Sequence, residues 1–195
     1  MATTRAIIGI DEVGRGPIAG PLLVCALYLP ESYDQRKLLG VRDSKKLSRV
    51  EREEWFAFAK YERERGNLSW AFGWVSAGRI DRGGMSQALR NAVASTLRQL
   101  QVSTETVEIF LDGSLYAPKE FAQQTIIGGD DKVPAIALAS NIAKVTRDKR
   151  MERMAALFPN YGFEQHKGYG TKAHYLALKQ YGPSEIHRMS FLKNK

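Results

Sequence analysis

The chain has 195 residues, of which 44% are hydrophobic and 26% are charged, as is typical of a single globular domain. It contains no apolar run of the ~20 residues that a membrane-spanning helix needs, and no N-terminal signal segment, so we expect a cytoplasmic protein without membrane contact. The single Cys25 excludes an internal disulfide, and the net charge of +8 favours a polyanionic partner such as nucleic acid, although a cationic surface can also serve solubility alone.

The first predicted elements are two strands and a helix. The apolar runs 6–10 and 22–29 predict buried strands, joined by a turn rich in glycine and proline. Ser48 and Glu51 have the spacing of a capping box, which predicts a helix that begins there and ends near residue 65.

The later elements follow from the same two periodicities. Alternating or continuous apolar residues predict strands, and apolar residues three and four positions apart predict helices. These patterns predict strands at 68–75, 107–111 and 125–127, and helices over 85–100, 134–157 and 171–182. Strands mixed with helices in this order predict an α/β fold in which helices flank a mixed central sheet.

Four carboxylates occupy similar positions in this pattern. Asp11, Glu12, Asp112 and Asp130 each follow a short apolar strand, and glycines lie close by. Carboxylates that converge at strand ends repel one another unless a cation neutralises them. Oxygen ligands without a histidine or cysteine cluster favour Mg²⁺ or Mn²⁺ over zinc. The pattern therefore predicts a divalent-metal site beside a phosphate, although an Asp-Glu-Val-Gly segment alone also fits a polar hairpin turn.

The adjacent pair Asp11 and Glu12 poses a geometric problem. Neighbouring residues of a strand point to opposite faces of the sheet. Both carboxylates can reach one site only where the strand ends or bulges. We therefore expect a local irregularity at these two residues.

The segment 9–21 reads Gly-Ile-Asp-Glu-Val-Gly-Arg-Gly-Pro-Ile-Ala-Gly-Pro and resembles the opening motif of ribonuclease HII. Further matches follow in the order of that family, at 43–48, 111–113, 129–134, 143–148, 166–171 and 187–191. The resemblance implies a ribonuclease H-like catalytic domain over residues 1–158. It also implies a helical, substrate-contacting appendage over 159–195 that belongs to the same globular unit.

The resemblance also implies an activity. Enzymes of this kind hydrolyse the RNA strand of RNA–DNA hybrids and cut at single ribonucleotides in duplex DNA, leaving 5′-phosphate and 3′-hydroxyl ends. The catalytic acids fall on Asp11, Glu12, Asp112 and Asp130, which would hold two divalent ions, Mg²⁺ or Mn²⁺, when substrate is bound.

Substrate contacts are implied at two further elements. A Gly-Arg-Gly element that grips the strand at the RNA–DNA junction falls on Gly14, Arg15 and Gly16. A tyrosine that contacts the ribonucleotide sugar falls on Tyr169, where it could sense the 2′-hydroxyl.

Five basic residues are candidates for contacts to the nucleic-acid backbone, with ordinary surface charge as the alternative for each. They are Lys45, Lys46, Lys144, Arg147 and Lys167. Asp43 and Asp148 are interpreted as structural. His166, His174 and His187 lack the spacing of a metal site, and packing or solvent roles are expected for them.

The chain departs from the family pattern at Gly84, at Gly128–Gly129 and at Asn141, and Asp131 could replace Asp130 if the register is shifted by one residue. The alternatives to a ribonuclease are a metal-dependent nuclease that cuts DNA junctions on a similar fold and a nucleic-acid-binding module without catalysis. We expect a monomer, since the sequence has no coiled-coil heptads.

Overall fold

The central feature of the protein, whose computed structural model describes residues 5–192, is a five-stranded sheet. The strands are β1 (Ala6–Val13), β2 (Leu22–Leu29), β3 (Ser69–Val75), β4 (Val107–Asp112) and β5 (Gln123–Ile126). They lie in the order β3-β2-β1-β4-β5. The pairs β1/β2 and β2/β3 are antiparallel, whereas β1/β4 and β4/β5 are parallel. The predicted mixed sheet is therefore confirmed.

Six α-helices surround the sheet within residues 5–192. They are α1 (Arg49–Glu64), α2 (Ala77–Leu100), α3 (Pro134–Leu157), α4 (Phe163–His166), α5 (Lys172–Tyr181) and α6 (Met189–Leu192). Ser48 and Glu51 form the predicted capping box of α1, and Pro134 occupies the first turn of α3, where its missing N–H costs nothing. The side chain of Thr171 caps α5 by accepting a hydrogen bond from the His174 N–H.

Helix α2 is longer than predicted. It begins at Ala77 instead of residue 85, and it is interrupted at Gly84, whose φ of 74° and ψ of 165° are not helical. Glycines near this break carry no apolar side chain, so the first turns lack the periodicity on which the prediction depended. The departure at Gly84 thus marks a kink between two helical segments.

The two faces of the sheet bury separate apolar clusters. Ile8 and Ile10 of β1 pack in the cluster that includes α2, and Leu23 and Cys25 of β2 pack in the cluster that includes α3. Helix α3 approaches β1 so closely that a Cβ atom on Gly9 would overlap the backbone of Ala135. No helix within the described residues is long and apolar enough to cross a membrane.

The segment that follows α3 packs against the loop between β1 and β2. The backbone N–H of Ile18 donates to the Gly168 carbonyl over 2.9 Å, and that of Gly20 donates to the Ile186 carbonyl over 2.8 Å. An isolated β-bridge joins Ala19 to His187. The C-terminal helices therefore adjoin the loop that carries the Gly-Arg-Gly element.

Candidate active site

The carboxylates of Asp11 and Glu12 lie on a regular strand. Asp11 pairs with Cys25 and Glu12 pairs with Val24, in one uninterrupted antiparallel register. The expected end or bulge of the strand is therefore wrong. The irregularity lies on the other side of β1, because its parallel pairing with β4 stops at Ile10. Beyond that point no strand of the described chain pairs with β1 on its β4 side, and this opening replaces the predicted bulge.

Burial and mutual repulsion perturb the pKa values of these two acids. Burial, assisted by the negative charges of Glu12 and Asp112, raises the pKa of Asp11 well above its usual range, although Ser140 on α3 opposes this with a hydrogen bond. Burial also raises the pKa of Glu12 to about 7, against the opposing charge of Arg15. The negative charge of Asp112 contributes to the raised pKa of both acids. Asp11 and Glu12 therefore interact with the same third acid, even though their side chains start on opposite faces of β1.

Asp112 ends β4 and is held by a backbone donor. Its Oδ1 accepts a hydrogen bond of 2.6 Å from the N–H of Gly129. A Cβ atom on Gly129 would lie 2.7 Å from Cδ1 of Ile136, so a larger residue here would require the end of the Ile136 side chain to move. Gly128 precedes it at a φ of +64°, a conformation that favours glycine. The departure at Gly128–Gly129 is therefore compatible with an intact contact to Asp112.

Asp130 is buried in a single 3₁₀ turn, Gly129–Asp131, and not at the end of a strand. Burial, followed by the charges of Asp112 and Asp43, raises its pKa to about 6, and Lys45 at 3.7 Å opposes this. Asp131, in contrast, is exposed and forms an ion pair of 2.6 Å with Lys46. The register of the fourth acid therefore favours Asp130.

Sequence analysis did not place Asp43 near this site. Oxygen atoms of Asp43, Asp130 and Asp131 lie within 4.8 Å of one another, a spacing that could hold a metal ion. Asp43 also fulfils the structural role that was predicted for it, because it accepts a hydrogen bond of 2.9 Å from the N–H of Lys45. In the sequence, the only indication of this position was that the segment Asp43-Ser44-Lys45-Lys46 matches the family pattern.

This donor set fits divalent metal ions. The residues that would hold them offer carboxylate oxygens only, which hard cations such as Mg²⁺ and Mn²⁺ prefer. Asp11, Glu12 and Asp130 share pKa values raised by burial and by neighbouring acids. A bound cation would relieve the repulsion that these shifts record.

The Gly-Arg-Gly element lies directly beside the acids. The Nη1 atom of Arg15 is 3.5 Å from a Glu12 oxygen and donates to the Ser114 hydroxyl over 3.0 Å. Half of its side chain is exposed. A Cβ atom on Gly16 would lie 3.8 Å from Cε1 of Tyr169, whose ring is partly exposed. The two predicted substrate contacts, Arg15 and Tyr169, are thus carried by adjacent loops.

The four lysines among the five basic candidates divide into two groups. Lys45 and Lys46 are exposed and lie beside the acids Asp130 and Asp131. Lys144 instead pairs with Asp148 at 3.0 Å, and Lys167 pairs with Glu152 at 2.9 Å, each with about a fifth or less of its side chain exposed. All four lysines have carboxylate partners, but only Lys45 and Lys46 are exposed enough to be reached by a nucleic acid.

The prediction for Arg147 is wrong. This side chain is completely buried, and its guanidinium donates to the backbone carbonyls of Pro21, Lys167 and Ala19. It therefore joins the two substrate loops from within, and no part of it is available to a phosphate.

Arg188 has a similar role that sequence analysis missed. It is completely buried, and it donates to the carbonyls of Gly14, Arg15 and Gly20. These hydrogen bonds hold the backbone of the Gly-Arg-Gly element from the interior of the protein. Its position within the matched segment 187–191 was the available signal, but an arginine in a sequence is ordinarily interpreted as a surface charge.

Asn141, the third departure, is explained by local hydrogen bonds. Its amide nitrogen donates to the carbonyl of Arg42 over 3.0 Å and to that of Ala137 over 2.9 Å. It thus connects α3 to the segment that carries Asp43.

Known proteins resemble this chain over nearly its whole length. The ribonuclease HII family model matches residues 8–194. Ribonuclease HII of Bacillus subtilis is 43% identical over 187 residues, which are 96% of this chain and 69% of that protein. Ribonuclease HII of Caldicellulosiruptor bescii is 40% identical over 191 residues, 97% of this chain and 88% of that protein.

Solved structures agree with this relationship. The chain from the PCNA:RNase HII complex of Archaeoglobus fulgidus superimposes with a TM-score of 0.75 at 27% identity, covering 97% of this chain and 95% of that one. Ribonuclease H2 of Pyrococcus horikoshii gives a TM-score of 0.69 at 25% identity, covering 97% and 100%. The chain therefore belongs to the ribonuclease HII family of divalent-metal-dependent, ribonuclease H-type endoribonucleases, which act on RNA–DNA hybrids.

Proposed function

We propose that this enzyme cuts duplex DNA at single embedded ribonucleotides, as well as the RNA strand of hybrids, and leaves 5′-phosphate and 3′-hydroxyl ends. The observation that carries the proposal is the position of Arg15 and Tyr169. The loop that holds the Arg15 cation contacts Glu12 on one side and adjoins the Tyr169 ring on the other. A phosphate and the neighbouring sugar can therefore be bound together next to the acids.

Asp11, Glu12, Asp112 and Asp130 are the residues proposed to hold two divalent ions, Mg²⁺ or Mn²⁺. When bound, such ions activate a water and neutralise charge on the phosphate and the leaving oxygen. Ser140 orients Asp11, and the Gly129 N–H orients Asp112, so both acids are partly positioned in advance. Asp43 lies close enough to Asp130 to share the binding of a cation.

The chain's own residues select the substrate. The planar guanidinium of Arg15 suits two phosphate oxygens, and Gly14 and Gly16 allow a strand to approach the backbone. The Tyr169 hydroxyl can hydrogen-bond near a 2′-hydroxyl, the group that distinguishes RNA from DNA. Lys45 and Lys46 are exposed beside the acids and would bind backbone phosphates without regard to sequence.

The remaining features of the proposal concern organisation. Residues 159–195 are proposed to act as a substrate-contacting appendage of the catalytic unit over 1–158, since Tyr169 belongs to that segment. All the proposed site residues belong to one chain, which is compatible with a monomer. The cytoplasm is the proposed location.

One assay tests the activity. The full chain is incubated with duplex DNA that carries one ribonucleotide, with Mg²⁺ or Mn²⁺, and with EDTA as the control. We expect incision only at the ribonucleotide and only with metal. Cutting of branched all-DNA substrates would indicate a junction nuclease, and binding without cutting would indicate a non-catalytic module.

Variants test the residue roles. Asp11→Asn should abolish incision without loss of folding, because the amide retains the size of the carboxylate but not its charge. Asp34→Asn is the matched control, since Asp34 is paired with Arg36 in a separate exposed turn. Full activity in the Asp11 variant would refute the assignment.

A further inference from the structure

Three histidines form a cluster beneath the Tyr169 loop. The rings of His166 and His174 are stacked, with centroids 4.3 Å apart and planes 15° from parallel. The Nε2 atoms of His174 and His187 are 2.9 Å apart, and both side chains are buried. The cluster is remote in sequence from the four acids, and the mechanism above does not use it.

The hydrogen-bond partners determine which nitrogen atoms carry protons. The Tyr169 carbonyl can only accept, so Nδ1 of His174, at 2.9 Å, must donate to it. A neutral His174 then has a lone pair on Nε2, and Nε2 of His187 must donate to that atom. The Nδ1 atom of His187 is left as an acceptor, and the N–H of Ser184 lies 2.9 Å from it. The result is a continuous chain of donors from Ser184 to Tyr169.

His166 holds Gly168, the residue before Tyr169, and the hydrogen-bond partners of its ring determine its tautomer in the same way. Its Nε2 donates to the Tyr161 carbonyl over 2.7 Å, which leaves Nδ1 to accept from the N–H of Gly168 over 3.2 Å. The Gly168 carbonyl in turn accepts hydrogen bonds from Ile18 and Ala19. The backbone on both sides of the peptide bond between Gly168 and Tyr169 is therefore fixed by buried groups.

Within residues 5–192, no carboxylate is among the groups that shift the pKa values of His174 and His187. Burial lowers the pKa of His174 to about 4 and lowers that of His187, and the charged groups that act on the pair are the other histidines. Two aromatic rings also pack against the pair: the centroid of Phe163 lies 5.4 Å from that of His174, and the centroid of Tyr161 lies 4.9 Å from that of His187. A protonated pair would also place two N–H donors against each other, so the neutral tautomers are strongly favoured.

We propose that His174, oriented by His187, is a positioning residue for the recognition of the ribonucleotide, because it fixes the backbone from which the Tyr169 side chain projects. This inference rests on the proposed function, in which Tyr169 contacts the sugar. His174 touches no substrate; it acts by holding the exposed ring of Tyr169 next to Gly16.

The first experiment measures the tautomers directly and does not depend on activity. Long-range ¹H–¹⁵N spectra of the ¹⁵N-labelled full chain at pH 7 report which imidazole nitrogen is protonated. We expect the proton on Nδ1 of His174, on Nε2 of His187 and on Nε2 of His166. A His174 protonated on Nε2, or on both nitrogens, would overturn the proposal.

The second experiment measures whether His174 acts through Tyr169. His174→Leu should lower kcat/KM for the embedded-ribonucleotide substrate by about 10-fold, whereas His174→Asn, whose amide can replace the Nδ1 donor, should stay within about threefold of the parent. In a Tyr169→Ala background, His174→Leu should change kcat/KM by less than about twofold, because the ring that it positions is gone.

If His174→Leu lowered kcat/KM as much in the Tyr169→Ala background as in the parent, the inference would be refuted. It would also be refuted if His174→Asn lowered kcat/KM as much as His174→Leu. Circular dichroism and thermal unfolding would show whether His174→Leu folds. If it does not fold, the activity of His174→Asn and the measured tautomers still test the proposal. If the unmodified protein failed to cut at a ribonucleotide, the proposed function would fall, while the tautomer assignment would stand on the spectra alone.

Discussion

The substitution Glu12→Gln should stabilise the fold in the absence of metal while it impairs catalysis. The Glu12 carboxyl is largely buried, with 14% of its side chain exposed, and its pKa is raised to about 7 by burial in spite of Arg15. At pH 8 the folded protein must therefore hold a carboxylate that water would solvate better. Removal of that charge removes the cost.

The size of the effect follows from the shift. A rise of the Glu12 pKa from 4.5 to about 7 lowers the free energy of unfolding by about 3 kcal/mol at pH 8. Glutamine keeps the cost of burying a polar group and loses the contact with Arg15, so we expect a net gain of about 1–2 kcal/mol in the free energy of unfolding. For a domain of this size that gain corresponds to roughly 2–8 °C in Tm.

The direction with pH is also determined. Because the folded pKa of Glu12 lies above its unfolded value, the carboxyl supports the fold at pH values below 4.5, and this support is lost as the pH rises through about 7. The charge-dependent part of this advantage falls from about 3 kcal/mol at pH 8 to about a quarter of that value at pH 5, whereas the losses caused by the glutamine side chain persist. The variant should therefore be no more stable than the parent at pH 5.

The assay is urea unfolding in EDTA from pH 5 to pH 8, repeated with Mg²⁺ or Mn²⁺. Glu120→Gln, at an exposed position, is the matched control and should change stability little. Metal should stabilise the parent more than the Glu12 variant. A variant that is no more stable than the parent at pH 8, or an advantage that does not vary with pH, would refute the reasoning.

Three further predictions concern other parts of the molecule. Gly9→Ala should destabilise the fold by about 1–3 kcal/mol, because its Cβ atom would overlap the Ala135 backbone, whereas the Cβ atom of Gly16→Ala would make only an ordinary contact of 3.8 Å with the Tyr169 ring and should leave the unfolding midpoint unchanged. Arg15→Gln should raise KM for the embedded-ribonucleotide substrate by about 10-fold and flatten its salt dependence; an unchanged KM would contradict the phosphate contact. Because the pKa of His174 is lowered to about 4 in the folded protein, the parent should lose up to about 2 kcal/mol of stability from pH 7 to pH 5, whereas His174→Asn should not show this loss. Parallel curves of unfolding free energy against pH for the two proteins would exclude this.

The main elements of the fold were predictable because their patterns are strong. The apolar runs of β1 and β2 are buried on both faces, and α1 has an explicit capping box. The one-turn helices α4 and α6 were not predicted, since four residues are too few to establish a helical periodicity. The start of α2 was not predicted either, because its glycines carry no apolar side chain that could show a helical periodicity.

The proximity of the four acids was predictable because each follows a short apolar strand in the sequence, whereas their role in catalysis stays a prediction. Their supports were not, since they depend on contacts between distant segments. Arg147 was taken for a phosphate ligand although it lies in the interior, and the pairing of His174 with His187 spans the end of α5. Charged and titratable residues are ordinarily assigned to the surface, and only the packed structure identifies the few whose partners are backbone carbonyls.

The position of Arg188 in the chain has a consequence for synthesis. Its hydrogen bond to the Gly14 carbonyl spans 174 residues, so the loop of Arg15 is synthesised well before the residue that supports it. All four acids precede that point, yet a chain interrupted before Arg188 would carry them beside an unsupported loop. Synthesis of the four acids is thus separated in time from synthesis of the arginine that supports the neighbouring loop.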